Sequence, residues 1–339
     1  MDSAVSAAWK DIYRPQAGVV LHPAALGRLP TRQDVVTTAR VLACAVAAGS
    51  TDYFVAYVRS IVTEQAARGA PPLAMAAVIA ALRRYYAEAL PPALAALVLS
   101  VLDAGLDAVS RPGPDLSGPV AALVAEGSAE PFTGVEALAD ALLAGEIDKG
   151  RRLLRDAVGA GRPCVEVATG LLQPALYTVG HRWQQRRITV AEEHGATAVA
   201  AALLAELFAD APRAAPLGRT ALIAGVTGNR HALGPHLVAD ALDVAGWDAR
   251  FLGGDASVDA VVAEVDRCRP DLLGLSASMP DQVPAMYRII RQVRRTFGSA
   301  GPRIVIGGLA TNHMRALWRW IGADGWSPDA TTAVALVGG

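Results

Sequence analysis

The chain has 339 residues, enough for two or three domains, and its 31 Lys and Arg against 32 Asp and Glu give a net charge of −1. That balance argues against a sequence-independent nucleic-acid binder, which needs a basic patch. Hydrophobic residues make up 53%, but Ala and Val supply much of this, and no uninterrupted apolar run approaches the roughly 20 residues of a membrane span.

The opening stretch MDSAVSAAWKDIYRP lacks the basic and apolar regions of a signal peptide, so a cytoplasmic protein with no membrane contact is expected. Cys44, Cys164 and Cys268 are too scattered for a disulfide framework or a zinc site. Residues 1–30 carry several prolines without a clear period and read as an N-terminal arm. From 31 to 110 four helical patterns follow one another, opened by Thr31, Thr51, Pro71-Pro72 and Pro91-Pro92, which predicts an antiparallel bundle. A linker is expected over 111–133, where SRPGPDLSGP begins, then a four-helix block over 134–210 and a second linker, APRAAPLG, at 211–218.

Within the second block, HRWQQRRITVAEEHGATAVA holds a tight turn. Thr189 followed by Glu192 is a capping box, so one helix ends near Arg187 and the next starts at Thr189. Trp183 falls in the last turns of the first helix, Glu193 and His194 in the opening turn of the second. Two readings stand at this point: a solvated helix turn with a half-packed Trp, or three side chains converging on one flat object.

After Gly218 the rhythm changes to alternating buried strands and helices over about 120 residues, predicting a parallel sheet covered on both faces with a ligand beyond the strands' carboxyl ends. The fold class expected is α/β plus all-α: a helical bundle, a helical cap, and a flavodoxin-like α/β domain over 218–339.

The first loop of that domain contains Asn229, His231 and Gly234 in the pattern N-x-H-x-x-G. Forty-one residues (235–275) then precede Ser276-Ala277-Ser278, and another 28 (279–306) precede Gly307-Gly308. The three motifs in register resemble the cobalamin-binding domain shared by methionine synthase, methylmalonyl-CoA mutase and corrinoid carriers. The resemblance implies that His231 is the lower axial cobalt ligand, a role suited to an imidazole nitrogen. It further implies that Gly234, Ser276, Ser278, Gly307 and Gly308 leave a channel for the displaced nucleotide tail. Asn229 stands where that family carries a carboxylate on the ligand histidine; it is expected to accept the imidazole's hydrogen bond without adding charge, giving weaker and more pH-sensitive ligation. Ser278 replaces the usual Leu.

The preceding helical block occupies the place of the family's cap. Trp183, with Glu193 and His194 at intervals of ten and eleven, is similar to the upper pocket of CarH-type light sensors, which implies adenosylcobalamin as cofactor. Gln184 stands where those sensors carry a histidine for the vacated cobalt face. His181, His22, His236 and His313 have no companions suggesting a metal. In place of a winged helix-turn-helix the chain has a plain helical bundle, a layout that resembles photocobilins and so implies biliverdin as a second chromophore. Tyr85-Tyr86 with Arg83-Arg84 suit a bilin's rings and propionates, and an amphipathic helix with a basic outer side explains them equally well; Cys44 reads as a core residue. A non-enzymatic photoreceptor with light-dependent homo-oligomerisation and an unidentified downstream protein partner is the function expected. A corrinoid methyl-carrier subunit is the alternative, and a mutase subunit a third reading.

Overall fold

A computed structural model describes residues 2–12, 30–67, 73–111, 132–312 and 317–338. It divides into two compact units, Met1–Leu116 and Ser117–Gly339. Most of the expected 111–133 linker lies outside the described residues, as do His22 and His313.

The first unit packs α1 (Asp2–Ile12), α2 (Arg32–Ala47), α3 (Thr51–Ala67), α4 (Leu73–Ala89) and α5 (Pro92–Ser110). The expected four-helix pattern is present, but the first residues are not an arm. Ala4, Val5 and Ala8 of α1 are buried against α4 and α2, an apolar stripe too short and Ala-rich to signal a helix. Thr31 caps α2 with a reciprocal capping box through Asp34. At α3 the cap is Ser50, whose Oγ accepts from the Tyr53 N–H at 3.4 Å, while Thr51 is already helical. Thr38 and Tyr57 share a buried hydroxyl contact of 3.0 Å between α2 and α3. A Cβ at Gly105 would fall 2.5 Å from the Phe54 ring, so this glycine sets the close approach of α5 to α3. Helix α5 is long and apolar enough to cross a membrane by length and composition, a segment that a search for unbroken apolar runs misses because Ser100, Asp103 and Asp107 interrupt it. In the bundle it buries Val98, Val101, Leu102 and Ala108 and exposes Leu94 and Leu97.

The second unit begins with the cap: α6 (Val135–Leu143), α7 (Ile147–Gly159), α8 (Cys164–Val167), a π-turn (Ala168–Leu172), α9 (Gln173–Gln184) and α10 (Val190–Ala209). The π-turn has a local cause. Pro174 has no N–H to offer the Gly170 carbonyl, and the Gln173 N–H reaches back five residues to Ala168. Arg182 joins α9 to α6 through Glu136 and Asp140, each at 2.6 Å.

The α/β domain follows as β1 (Thr220–Val226), α11 (Leu233–Val244), β2 (Asp248–Ala256), α12 (Val258–Cys268), β3 (Leu272–Ser276), α13 (Val283–Phe297), β4 (Arg303–Gly307), α14 (Leu309–Asn312), α15 (Leu317–Ile321), β5 (Gly325–Trp326) and α16 (Ala330–Val337). All pairings are parallel in the order β2-β1-β3-β4-β5, the flavodoxin-like arrangement expected. The final two-residue strand and α16 carry too few residues to be read from periodicity.

Cap and sheet domain share one core. Leu138, Leu171 and Leu203 of the cap pack in a continuous cluster with Leu237, Ala241 and Ala330. The APRAAPLG segment is no loose linker: the Ala214 N–H donates to the Val244 carbonyl and the Leu217 N–H to the Gly246 carbonyl, both at 2.8 Å. Gly246 has φ +93°, and a Cβ there would lie 2.4 Å from the Ala215 carbonyl oxygen, so only glycine lets this segment lie flat.

Candidate functional site

The loop after β1 is built by its neighbours. Gly228, at φ +86°, is held from two sides. Its N–H donates to Asp255 at 2.7 Å, and its carbonyl accepts from Gln282 Nε2 at 3.0 Å. Thr227 Oγ1 donates to the Ala256 carbonyl at 2.9 Å, fastening the same loop to the end of β2. Gln282 is buried and its Oε1 also accepts from the N–H groups of Ser278 and Met279, at 2.8 and 3.1 Å. It thereby ties the β1 and β3 loops together. Asp255 and Gln282 were missed in the sequence; the M-P-D-Q turn opening α13 was the available signal for Gln282.

Asn229 is completely buried. Its Nδ2 donates to the Ser276 carbonyl at 3.3 Å, and its Oδ1 accepts from the backbone N–H of His231 at 3.1 Å. The expected bond to the imidazole is therefore not what this side chain makes. Both halves of the amide are spent on main chain, closing an Asx-type turn that presents residue 231. His231 itself is exposed at the carboxyl edge of the sheet, and its imidazole makes no hydrogen bond among the described residues.

The small residues divide into two kinds. Gly234 lies in the first turn of α11, and a Cβ there would meet nothing within 4 Å, so space does stay open beside His231. Gly307 and Gly308 are demanded by the main chain instead. A Cβ at Gly307 would stand 3.1 Å from the Ser327 carbonyl, and Gly308 has φ +93° with its Cβ position 2.3 Å from the Ala277 carbonyl. Ser276 is buried at the end of β3 beside Gly307 in the strand register, and Ser278 is half-buried in the following turn.

In the cap, α9 ends at Gln184, three residues earlier than expected, because the chain reverses through Arg186 at φ +58°. Thr189 and Glu192 form the capping box read from the sequence, with the Thr189 N–H donating to Glu192 at 2.7 Å. Trp183 is half-buried at the end of α9. Glu193 accepts from Thr197 Oγ1 at 3.1 Å and lies 3.5 Å from His194 Nε2. His194 is 74% exposed, so Glu193 and His194 meet each other and the latter looks outward.

Further along the cap, Tyr177 accepts from Gln173 Nε2 at 2.6 Å, and burial raises its pKa above the ordinary value, Asp329 adding to the rise. Thr169, in the π-turn, meets Thr331 of α16 at 2.9 Å, a hydroxyl tie between cap and sheet domain.

Among the described residues no group of three or more His, Cys, Asp or Glu could hold a bare metal ion. A lone accessible imidazole beside open space suits a metal that arrives already caged by a macrocycle, and these residues fit a corrinoid in that sense. Residues 219–335 match the family model of the B12 binding domain, and residues 135–207 match a second model of the same description. This is a cobalamin-binding chain.

Two kinds of curated relative match part of this chain. One is the HTH-type transcriptional repressor CarA of Myxococcus xanthus, 30% identical over 153 residues that cover 44% of this chain and 49% of that one. Another is the dimethylamine corrinoid protein of Methanosarcina barkeri, 24% identical over 205 residues, 59% of this chain and 94% of that one. The solved monomethylamine corrinoid protein of Methanosarcina barkeri aligns at 20% identity and TM-score 0.49, over 59% of this chain and 94% of its own. The cobalamin-binding chain spans about half the length of the first curated relatives it matches.

In the bundle, the candidate bilin residues are already engaged. Arg83 pairs with Asp103 at 2.6 Å and Arg84 with Asp11, while the Tyr85 and Tyr86 rings meet edge-on at 5.2 Å. The structure thus supports the amphipathic-helix reading of the arginines. Cys44 is half-buried rather than a full core residue.

Proposed function

We propose that the protein is a non-enzymatic light sensor that holds adenosylcobalamin through His231 and covers it with the Trp183, Glu193 and His194 hairpin. Bound there, adenosylcobalamin supplies a cobalt–carbon bond that light cleaves. The single observation that carries the reading is the hairpin's position: Trp183 and the Glu193–His194 pair flank one tight turn, in a cap that shares its core with the cobalamin-binding domain.

In this reading the loop fixed by Asp255, Gln282 and Asn229 holds the backbone of His231 in place, so the point from which the imidazole reaches the cobalt is set by the fold while its ring settles on binding. Trp183 offers an indole face to the adenosyl group, and Glu193, steadied by Thr197, sits beside it. Gln184 occupies the position at which CarH-type sensors place a second histidine, so water or another group takes the upper face after illumination. The cap is anchored to the sheet domain at Thr169–Thr331 and through the shared core, and loss of the upper group lets its other end repack. Output is a light-dependent change in self-association or in binding to a protein partner. The same reading gives the helical bundle biliverdin as a second chromophore, on the strength of the domain layout.

Reconstitution with adenosylcobalamin in darkness, followed by illumination with spectrum and mass recorded together, tests the reading. Loss of the alkyl-cobalt bands with an organised change of mass is the result expected. Preference for methylcobalamin with no change of mass contradicts it and favours a corrinoid carrier, the kind of relative aligned over 94% of its length. Red-absorbing bands on adding biliverdin are expected from the bundle, and their absence removes the second chromophore.

A further inference from the structure

We propose that the amino-end face of the parallel sheet, opposite to His231, carries a second binding site, for a small organic anion with a carboxylate or phosphate on a flat apolar body. A cavity of about 280 Å³ opens there between Arg219, Trp247, Asp271, Leu272, Arg303 and Val337. Arg219 immediately precedes β1, Arg303 begins β4, and Asp271 immediately precedes β3, so the charged groups stand where three adjacent parallel strands start. His231 follows the other end of β1, so a ligand here is separate from the cobalamin.

The floor and the rim differ in chemistry. Trp247, Leu272 and Val337 are buried and apolar, whereas Arg219, Arg303 and Asp271 are exposed around them. The Arg219 guanidinium lies 5.7 Å from the Trp247 ring centre.

What the two arginines bond to points to a ligand. A guanidinium carries five N–H donors. Arg219 gives one to the Val337 carbonyl at 3.5 Å, and Arg303 gives one to the Leu336 carbonyl at 3.3 Å, both long contacts to the end of α16. Among the described residues neither meets a carboxylate. Elsewhere in the same domain Arg250 and Arg294 each pair with an aspartate, at 2.8 and 2.6 Å. What sets Arg219 and Arg303 apart from the domain's other arginines without a carboxylate is that they line one cavity together. The one carboxylate in the lining is committed to the backbone, since Asp271 Oδ2 accepts from the Thr220 N–H at 2.8 Å. The cavity therefore holds an excess of positive charge and an unspent set of fork-shaped donors above an apolar floor. Such an arrangement suits an oxyanion gripped by the forks while its body rests on Leu272 and Trp247.

The test uses the full chain loaded with cobalamin, so that the cofactor's own phosphate site is filled. Phenyl phosphate is titrated calorimetrically at fixed ionic strength against the parent chain, Arg219→Met, Arg303→Met and Arg303→Lys, with the cobalt absorption spectrum reporting that each variant is folded. Saturable binding by the parent is expected, weakened about tenfold or more in each Met variant and less in Arg303→Lys, which keeps the charge but loses the fork. No saturable binding to the parent, or binding by folded Arg219→Met and Arg303→Met as tight as the parent's, overturns the proposal. If both Met variants lose the cobalt spectrum, Arg303→Lys decides alone: weakened binding supports the site, and parent-like binding overturns it.

Discussion

Asn229 shows how far a residue type can be read without its surroundings. N-x-H-x-x-G marked position 229 as the partner of the histidine, and that much was legible, but which atom of the histidine it serves depends on where the end of β3 lies. Because Ser276 presents a carbonyl oxygen to it, the side chain must donate as well as accept, and Asn does both. Asn229→Asp puts a carboxylate oxygen against that carbonyl in a site with no exposure to water. The variant is expected to lose about 1–3 kcal/mol of stability at neutral pH, measured by urea unfolding of the cobalamin-free chain. An unchanged unfolding midpoint and slope contradicts the assignment.

At the scale of elements, the hairpin between α9 and α10 was legible because a capping box is a local device. Thr189 and Glu192 satisfy each other's backbone within three residues, so nothing distant had to be known. Thr189→Ala is expected to cost about 1 kcal/mol in thermal or urea unfolding, and no loss counts against the box as the start of α10. Elements whose causes lie elsewhere in the chain were read less well. The π-turn has its local cause in Pro174, but the close packing it makes depends on distant Phe132, whose ring a Cβ at Gly170 would approach to within 2.5 Å. Helix α1 is held by burial of three small side chains against other helices, and β5 is only two residues long and defined by its pairing with β4. The glycines at 307 and 308 were found by their spacing, yet their cause is contact with the Ser327 and Ala277 carbonyls.

Over the whole molecule, the sequence was read as a cap and a sheet domain joined by a linker. The structure joins them into one body through a shared core and through the hydrogen bonds that lay the 211–218 segment along the end of α11. Met1–Leu116 forms a separate compact unit. A fragment beginning at residue 132 is therefore expected to fold and to bind cobalamin with the dark spectrum of the full chain, checked by absorption after gel filtration. Loss of binding on removing the bundle contradicts that division of labour.

The central claim concerns a single imidazole at the carboxyl end of β1. Absorption spectra and retention of cobalamin after gel filtration, recorded in darkness for the parent chain and for His231→Ala, test it most directly. The account predicts that the variant loses the spectrum of histidine-ligated cobalt and retains less cofactor. An identical spectrum with identical retention contradicts it.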